Sequence, residues 1–206
     1  KGDNVNTLTD NGISPLHLAV TSSNSEFVNF LLSKGADLKA TVTEGALKGF
    51  TVLHLASAKG NLELLKLFLG KGISPNILNE EQVSPLHIAC YYGKLPVIEQ
   101  LVSAGADVNL ADNQGKTPLH DLSFAGNAPA AAFLLSKGAD LQKTTTLGVH
   151  PLHLAALAGN SALVEFYLKK GISPAIKDLT GKTPLDYAKN KNQQGVITLL
   201  EKYTQN

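Results

Sequence analysis

Histidine is the residue type most able to do chemistry in this chain, and it recurs. Of six histidines, five share one position of a repeated hexapeptide: His17, His54, His87, His120 and His153. A row of imidazoles could bind metal or move protons. Spacing argues against both. Successive copies of a stacked repeat lie on the order of 10 Å apart, by analogy with packed layers. Zinc holds its nitrogen ligands at about 2.0–2.1 Å, so one ion could not bridge two copies. We therefore expect each ring to bond the Thr or Ser that starts its own motif and the backbone of a neighbouring loop. His150 and His153 have i, i+3 spacing, but His150 fills the Thr slot and has no third ligand beside it. Cys90 is the single cysteine. It can form neither an internal disulfide nor a cysteine-based metal site, and its Ala-like slot predicts a buried structural thiol. The chain contains no nucleophile elbow, phosphate loop or paired-carboxylate constellation. No catalytic residue, no cofactor and no metal are expected, although a parent protein could carry a catalytic domain elsewhere.

Charge narrows the partners. Lys and acids nearly cancel, giving a net charge of +1, and every basic residue is Lys. No global field draws the chain to nucleic acid or an anionic membrane, and the bidentate Arg fork used to read bases is absent. No apolar run approaches the roughly 20 residues needed to span a bilayer. Residues 169–206 carry seven lysines and three acids, which fits a solvated basic end or a site for an acidic partner.

The elements that place these residues follow from the repetition. Ser14-Pro15-Leu16-His17-Leu18-Ala19 returns as Thr51-Val52-Leu53-His54-Leu55-Ala56, Ser84-Pro85-Leu86-His87-Ile88-Ala89 and Thr117-Pro118-Leu119-His120-Asp121-Leu122. His150-Pro151-Leu152-His153-Leu154-Ala155 and Thr183-Pro184-Leu185-Asp186-Tyr187-Ala188 complete the series. The second positions, 15, 52, 85, 118, 151 and 184, are spaced by 37, 33, 33, 33 and 33. A second signature trails the first, as in Lys34-Gly35-Ala36-Asp37 and Ala104-Gly105-Ala106-Asp107. Pro suits the first position of a helix, and the Thr or Ser before it can cap the free amides. Gly60, Gly93, Gly126 and Gly159 separate a first helix from a second. Gly35, Gly72, Gly105, Gly138 and Gly171 suit the left-handed position that ends the second. The polar segment after each predicts a projecting turn.

Both motifs and their period resemble the ankyrin repeat, over essentially the whole chain. The resemblance implies an all-α fold, an ankyrin-repeat solenoid of helix–turn–helix units with projecting β-turn or hairpin loops. It divides the chain into the tail of a truncated preceding repeat (1–11), repeat 1 with a loop insertion (12–48), repeats 2 to 5 (49–81, 82–114, 115–147, 148–180) and a C-terminal capping repeat (181–206). The opening KGDNVNTLTDNG parallels AGADVNLADNQG at 104–115, so a longer parent array is expected, with a natural end or a loop shortly after Asn206. Several positions depart from the pattern. Four extra residues fall between Asp37 and Phe50, Val52 replaces Pro, Ser23 and Asn24 replace the inter-helix Gly, Leu122 replaces Ala, and Asp121 stands where Leu or Ile is usual.

The resemblance also implies that the exposed side of the first helices and the hairpin tips meet a protein partner. On this chain those columns hold Ala58 and Lys59, Tyr91 and Tyr92, Phe124, and Leu157, with Asn79, Glu80, Asn113 and Gln114 at the tips. The middle of the column is apolar and aromatic, as a binding hot spot would be. The stretch Leu101 to Asn109 looks like the ankyrin context in which an oxygenase hydroxylates Asn, making Asn109 a candidate modification site. The expected function is a scaffold binding a partner protein. The alternatives are a recruiting module of a larger enzyme or bacterial effector, or part of a repeat-rich secreted toxin or channel. We expect a monomeric fragment, with no nucleic acid bound and no membrane insertion. It would sit in the cytoplasm, or a host cytoplasm for an effector, with secretion left open.

Overall fold

A computed structural model describes residues 4–204. These residues form twelve α-helices, one short 3-10 turn and no strand. The helices come in pairs: α1 (Pro15–Thr21) with α2 (Ser25–Ser33), α3 (Val52–Lys59) with α4 (Leu62–Gly70), and α5 (Pro85–Tyr91) with α6 (Leu95–Ser103). Then follow α7 (Pro118–Ala125) with α8 (Ala128–Ser136), α9 (Pro151–Leu157) with α10 (Ser161–Lys169), and α11 (Pro184–Asn190) with α12 (Gln194–Thr204). The architecture is that of an ankyrin-repeat solenoid, and the chain divides into two compact units. Lys1–Ala89 and Pro96–Asp107 make the first, Cys90–Leu95 and Val108–Asn206 the second.

Each helix start rests on local chemistry. The prolines sit in the first turn of α1, α7, α9 and α11, and Ser14 or Thr183 accepts the third helical amide. Val52 opens α3 without a proline, and Thr51 still forms a capping box with His54. The second helices end in a left-handed residue: Gly72 has φ +85°, and the amide of Ile73 returns to the carbonyl of Phe68 at 3.2 Å.

In the first unit α1 packs on α2 and α3, and α3 on α4, around Leu16, Val28, Leu53, Leu64 and Phe68. In the second unit α7, α9 and α11 form one layer, and α8, α10 and α12 the other. Leu119, Leu134, Leu152, Val164 and Leu200 fill the space between them. Tyr167 is also wholly buried there, its hydroxyl 2.8 Å from Ser123 Oγ. The last helix presents Val196 and Leu200 inward and Gln194, Thr198 and Lys202 outward.

The histidines are structural. Thr51 N–H donates to His54 Nδ1 at 3.2 Å, so Nε2 carries the proton and donates to the carbonyl of Val83 at 3.0 Å. His120 bridges Thr117 and Val149 in the same way, and His153 bridges His150 and Lys182. His17 pairs with Ser14 through Nδ1 at 2.7 Å; its buried Nε2 lacks a well-formed hydrogen bond, although the backbone of Phe50 and Ala40 still acts on the ring against burial. In the second to fifth copies the histidine precedes the hairpin-closing residue (Val83, Val149 or Lys182) by 29 residues. The insertion stretches that interval to 33 for His17 and Phe50. The extra residues fold as a 3-10 turn, Gly45–Leu47, closed by Val42 N–H to the carbonyl of Phe50 at 2.9 Å, with Val42 buried beneath.

Candidate functional site

Three large aromatic side chains stay exposed in the second unit: one at the end of α5, one just after it and one on α7. Tyr91, Tyr92 and Phe124 keep 49%, 53% and 47% of their surface in solvent. They are not scattered. Tyr91 stacks on Phe124 with centroids 6.1 Å apart and planes 10° from parallel, and meets Tyr92 edge-on at 5.2 Å. Both are favourable aromatic geometries, and they hold the three rings as one surface. Leu157, half-buried at the end of α9, lies with Tyr91 and Phe124 along a shallow cleft of about 290 Å³. Lys116, His120, Asp121 and Leu154 complete its lining.

The helix ends that carry these side chains are pinned by amides of the next repeat. Asn127 caps α8 by accepting the amide of Ala130, and its Nδ2 donates to the carbonyl of Gly93 at 3.1 Å, just after Tyr92. Asn160 Nδ2 donates to the carbonyls of Ser123 and Phe124 at 3.2 and 3.3 Å. Gln193 Nε2 donates to the carbonyl of Leu157 at 3.1 Å. Backbone bonds of this kind fix where the site side chains start, at the cost of few residues. Sequence inspection marks these positions only as helix starts, because their second partners lie 34 to 37 residues upstream. Gly126, with φ +80°, has no room for a Cβ against the Asn160 amide.

The electrostatics of the cleft are unusual in one place. Burial pushes the Asp121 carboxyl up to about 7, while Lys116 draws it down and Asp112 raises it. Beneath the surface Cys90 is fully buried, and burial holds its thiol well above its ordinary value. A protonated thiol in that position packs and does not attack.

The remaining candidate residues lie elsewhere. Ala58 and Lys59, half-buried and exposed respectively, belong to the first unit at the end of α3. Glu80 is exposed and pairs with Lys48 at 3.1 Å. Asn113 and Gln114 are exposed at their tip, where the Gln114 carbonyl accepts the amide of Thr146 at 2.9 Å. Asn79 is held within its own turn. It is 5% exposed, and its Oδ1 accepts the amides of Glu81 and Val83, so it shapes the turn. Asp112, Thr145 and Asp178 build their tips identically. Asn109 has both ends of its amide engaged: Nδ2 donates to the carbonyl of Gly138 at 2.8 Å and Oδ1 accepts from Asp140 N–H at 2.7 Å. Asn6 and Asn76 make the same clamp. Among the described residues no group of His, Cys, Asp and Glu could hold a metal ion, and no helix is long and apolar enough to cross a membrane.

Comparison with protein families bears on the same repeats. A model of ankyrin repeats in three copies matches residues 53–145, one of ankyrin repeats in many copies matches 134–188, and one of a single ankyrin repeat matches 11–41. No curated protein matches the chain.

Proposed function

We propose, from the premise that this chain belongs to the ankyrin repeat family, that it binds a partner protein through Tyr91, Tyr92, Phe124 and Leu157. Ankyrin repeats are in general protein–protein interaction modules. The observation that supports this surface is the stacked, half-exposed aromatic cluster at the end of α5 and on α7. Side chains of this size normally bury in a core of their own. Here three of them remain in solvent, held rigid by each other and by amide-pinned helix ends. A partner that covers them gains apolar burial at little cost in side-chain ordering. Exposed Gln114 and Asn113 belong to the same unit and supply polar contacts at a hairpin tip. The repeats delimited at 12, 49, 82, 115, 148 and 181 act as the scaffold.

The test is a pull-down with the purified chain and its Tyr91→Ala/Phe124→Ala variant. Losing a hot-spot pair costs on the order of 100-fold in affinity, while two half-exposed truncations leave thermal stability nearly unchanged. Retained binding with collapsed stability would show that both rings belong to the core, and would sink the proposal.

A further inference from the structure

Asp121 is out of character with the cleft it lines. In the other copies its position in the first helix holds Leu18, Leu55, Ile88, Leu154 or Tyr187. Its carboxylate is half-buried in α7, faces the cleft with Tyr91, Phe124, Leu154 and Leu157, and makes neither a hydrogen bond nor an ion pair among the described residues. Lys116 lines the same cleft, and its charge acts on the carboxylate without offsetting burial. The ionisable groups around the carboxylate are Lys116 and Asp112 from the preceding turn, His120 on its own helix, and Tyr91 and Cys90 on α5.

An unpaired carboxylate among apolar side chains is unfavourable, and a leucine there would simply extend the apolar surface. A ligand that repairs the site must bring positive charge on an apolar stem. Aromatic ring faces attract the same chemistry: a cation gains from the negative face of Tyr or Phe, and its methylenes gain from the ring itself. An anion would meet the carboxylate, and a purely apolar side chain would leave it buried and unpaired.

We propose that this cleft receives a lysine or arginine side chain of the partner protein, with Asp121 as its counter-ion and Tyr91 and Phe124 packed along it. The proposal rests on the docking surface described above and names the chemistry at its centre.

The direct probe is n-butylguanidinium, compared with the uncharged n-butylurea, followed by NMR of the Tyr91 and Phe124 rings and the Asp121 carboxyl. The expected result is binding of the guanidinium about tenfold tighter than the urea, lost in Asp121→Asn, a substitution that keeps the shape and removes the charge. Equal binding of the two probes, binding unaffected by Asp121→Asn, or no binding at all overturns the inference. A random peptide library panned on the wild type, on Asp121→Asn and on Tyr91→Ala/Phe124→Ala separates the two levels. Enrichment of a basic residue that needs both Asp121 and the aromatic pair supports the proposal. Peptides that need Tyr91 and Phe124 but show no basic preference leave the docking surface standing and refute its cation. Peptides indifferent to the aromatic pair refute both.

Discussion

The two units are built on one template and spend their departures from it in different places. In the first unit the backbone irregularities lie in connections: the lengthened loop at 37–50, Ser23 at φ 55° between α1 and α2, and Gln82 at φ 60° in a hairpin turn, while Phe27 and Phe30 stack, exposed, on the second helix α2. Its corresponding surface positions, Thr21, Ala58 and Lys59, are small or hydrophilic. In the second unit Gly115, Gly148 and Gly181 occupy the position that Gln82 fills in the first, and only Asn192, at φ 54° between α11 and α12, repeats the left-handed non-glycine residue that Ser23 supplies between α1 and α2. Its oddities lie on a helix face, as Tyr91, Tyr92, Phe124 and Asp121, and at one helix start, His150. Deviation in a loop is tolerated because loop length costs little. A costly deviation on a regular face, such as an unpaired carboxylate, has no such excuse and marks the place where a function would compensate.

The largest effect that would break this comparison concerns the histidines. His120→Ala removes a ring that ties Thr117 to Val149 and leaves a cavity, so it should destabilise by about 3 kcal/mol. His17→Ala removes a ring with only one nitrogen in a well-formed hydrogen bond and should cost about 1 kcal/mol less. Urea unfolding of both variants checks this. Equal losses would mean that the insertion has not loosened the first histidine.

A second effect is pH-dependent. Burial, then the neighbouring His153 and His120, lower His150 to about 4, and burial, opposed by the Val83 carbonyl, lowers His54 to about 4. Both rings are neutral in the folded chain, whereas an unfolded histidine takes up a proton below pH 6.5. Their stabilisation is therefore complete above 6.5 and is lost as pH falls toward 4, by up to about 3 kcal/mol for each. His150→Thr restores the usual motif residue and removes a buried Nε2 that makes no hydrogen bond. It should raise stability at pH 7 by about 1 kcal/mol. It should also flatten the acid loss in the second unit alone, leaving the first unit dependent on His54. Amide hydrogen exchange between pH 7 and 5 resolves the two. An unchanged acid loss in the second unit would remove His150 from the account.

The smallest effect sharpens the contrast in turns. Ser23→Gly and Gln82→Gly relieve left-handed strain in the first unit and should each stabilise by roughly 0.5–1 kcal/mol. The reverse change, Gly126→Ala, must push a Cβ into the Asn160 amide and should destabilise by more than that. Thermal melting of the three variants orders them.

Most of the scaffold was legible before any coordinates. Pro15, Pro118, Pro151 and Pro184 announce helix starts by a fixed φ, and the glycines announce helix ends, because both are local effects. The pairing of His54 with Thr51 was legible for the same reason. Asn79 was not. A polar residue in a turn reads as exposed, and only the fold shows its oxygen turned in to hold Glu81 and Val83. Asn109 was read by its surroundings in sequence, which carry no sign of the clamp it makes on Gly138 and Asp140. The stacking of Tyr91 on Phe124, 33 residues apart, follows from the period once the first helices are layered. The burial of the Asp121 carboxyl does not, since it depends on how the side chains of neighbouring repeats close over it.

The histidine-to-carbonyl bond also works as a gauge of chain length. His54, His120 and His153 each reach a carbonyl 29 residues on, so a well-formed bond accompanies the regulation count. His17 spans the one lengthened stretch, and there Phe50 acts on the ring without closing a well-formed bond. Excising four residues from 43–49 would return Phe50 to the gauge distance, and a protein engineer adding or removing repeats could use the protonation of these rings to see whether each new joint has closed in register.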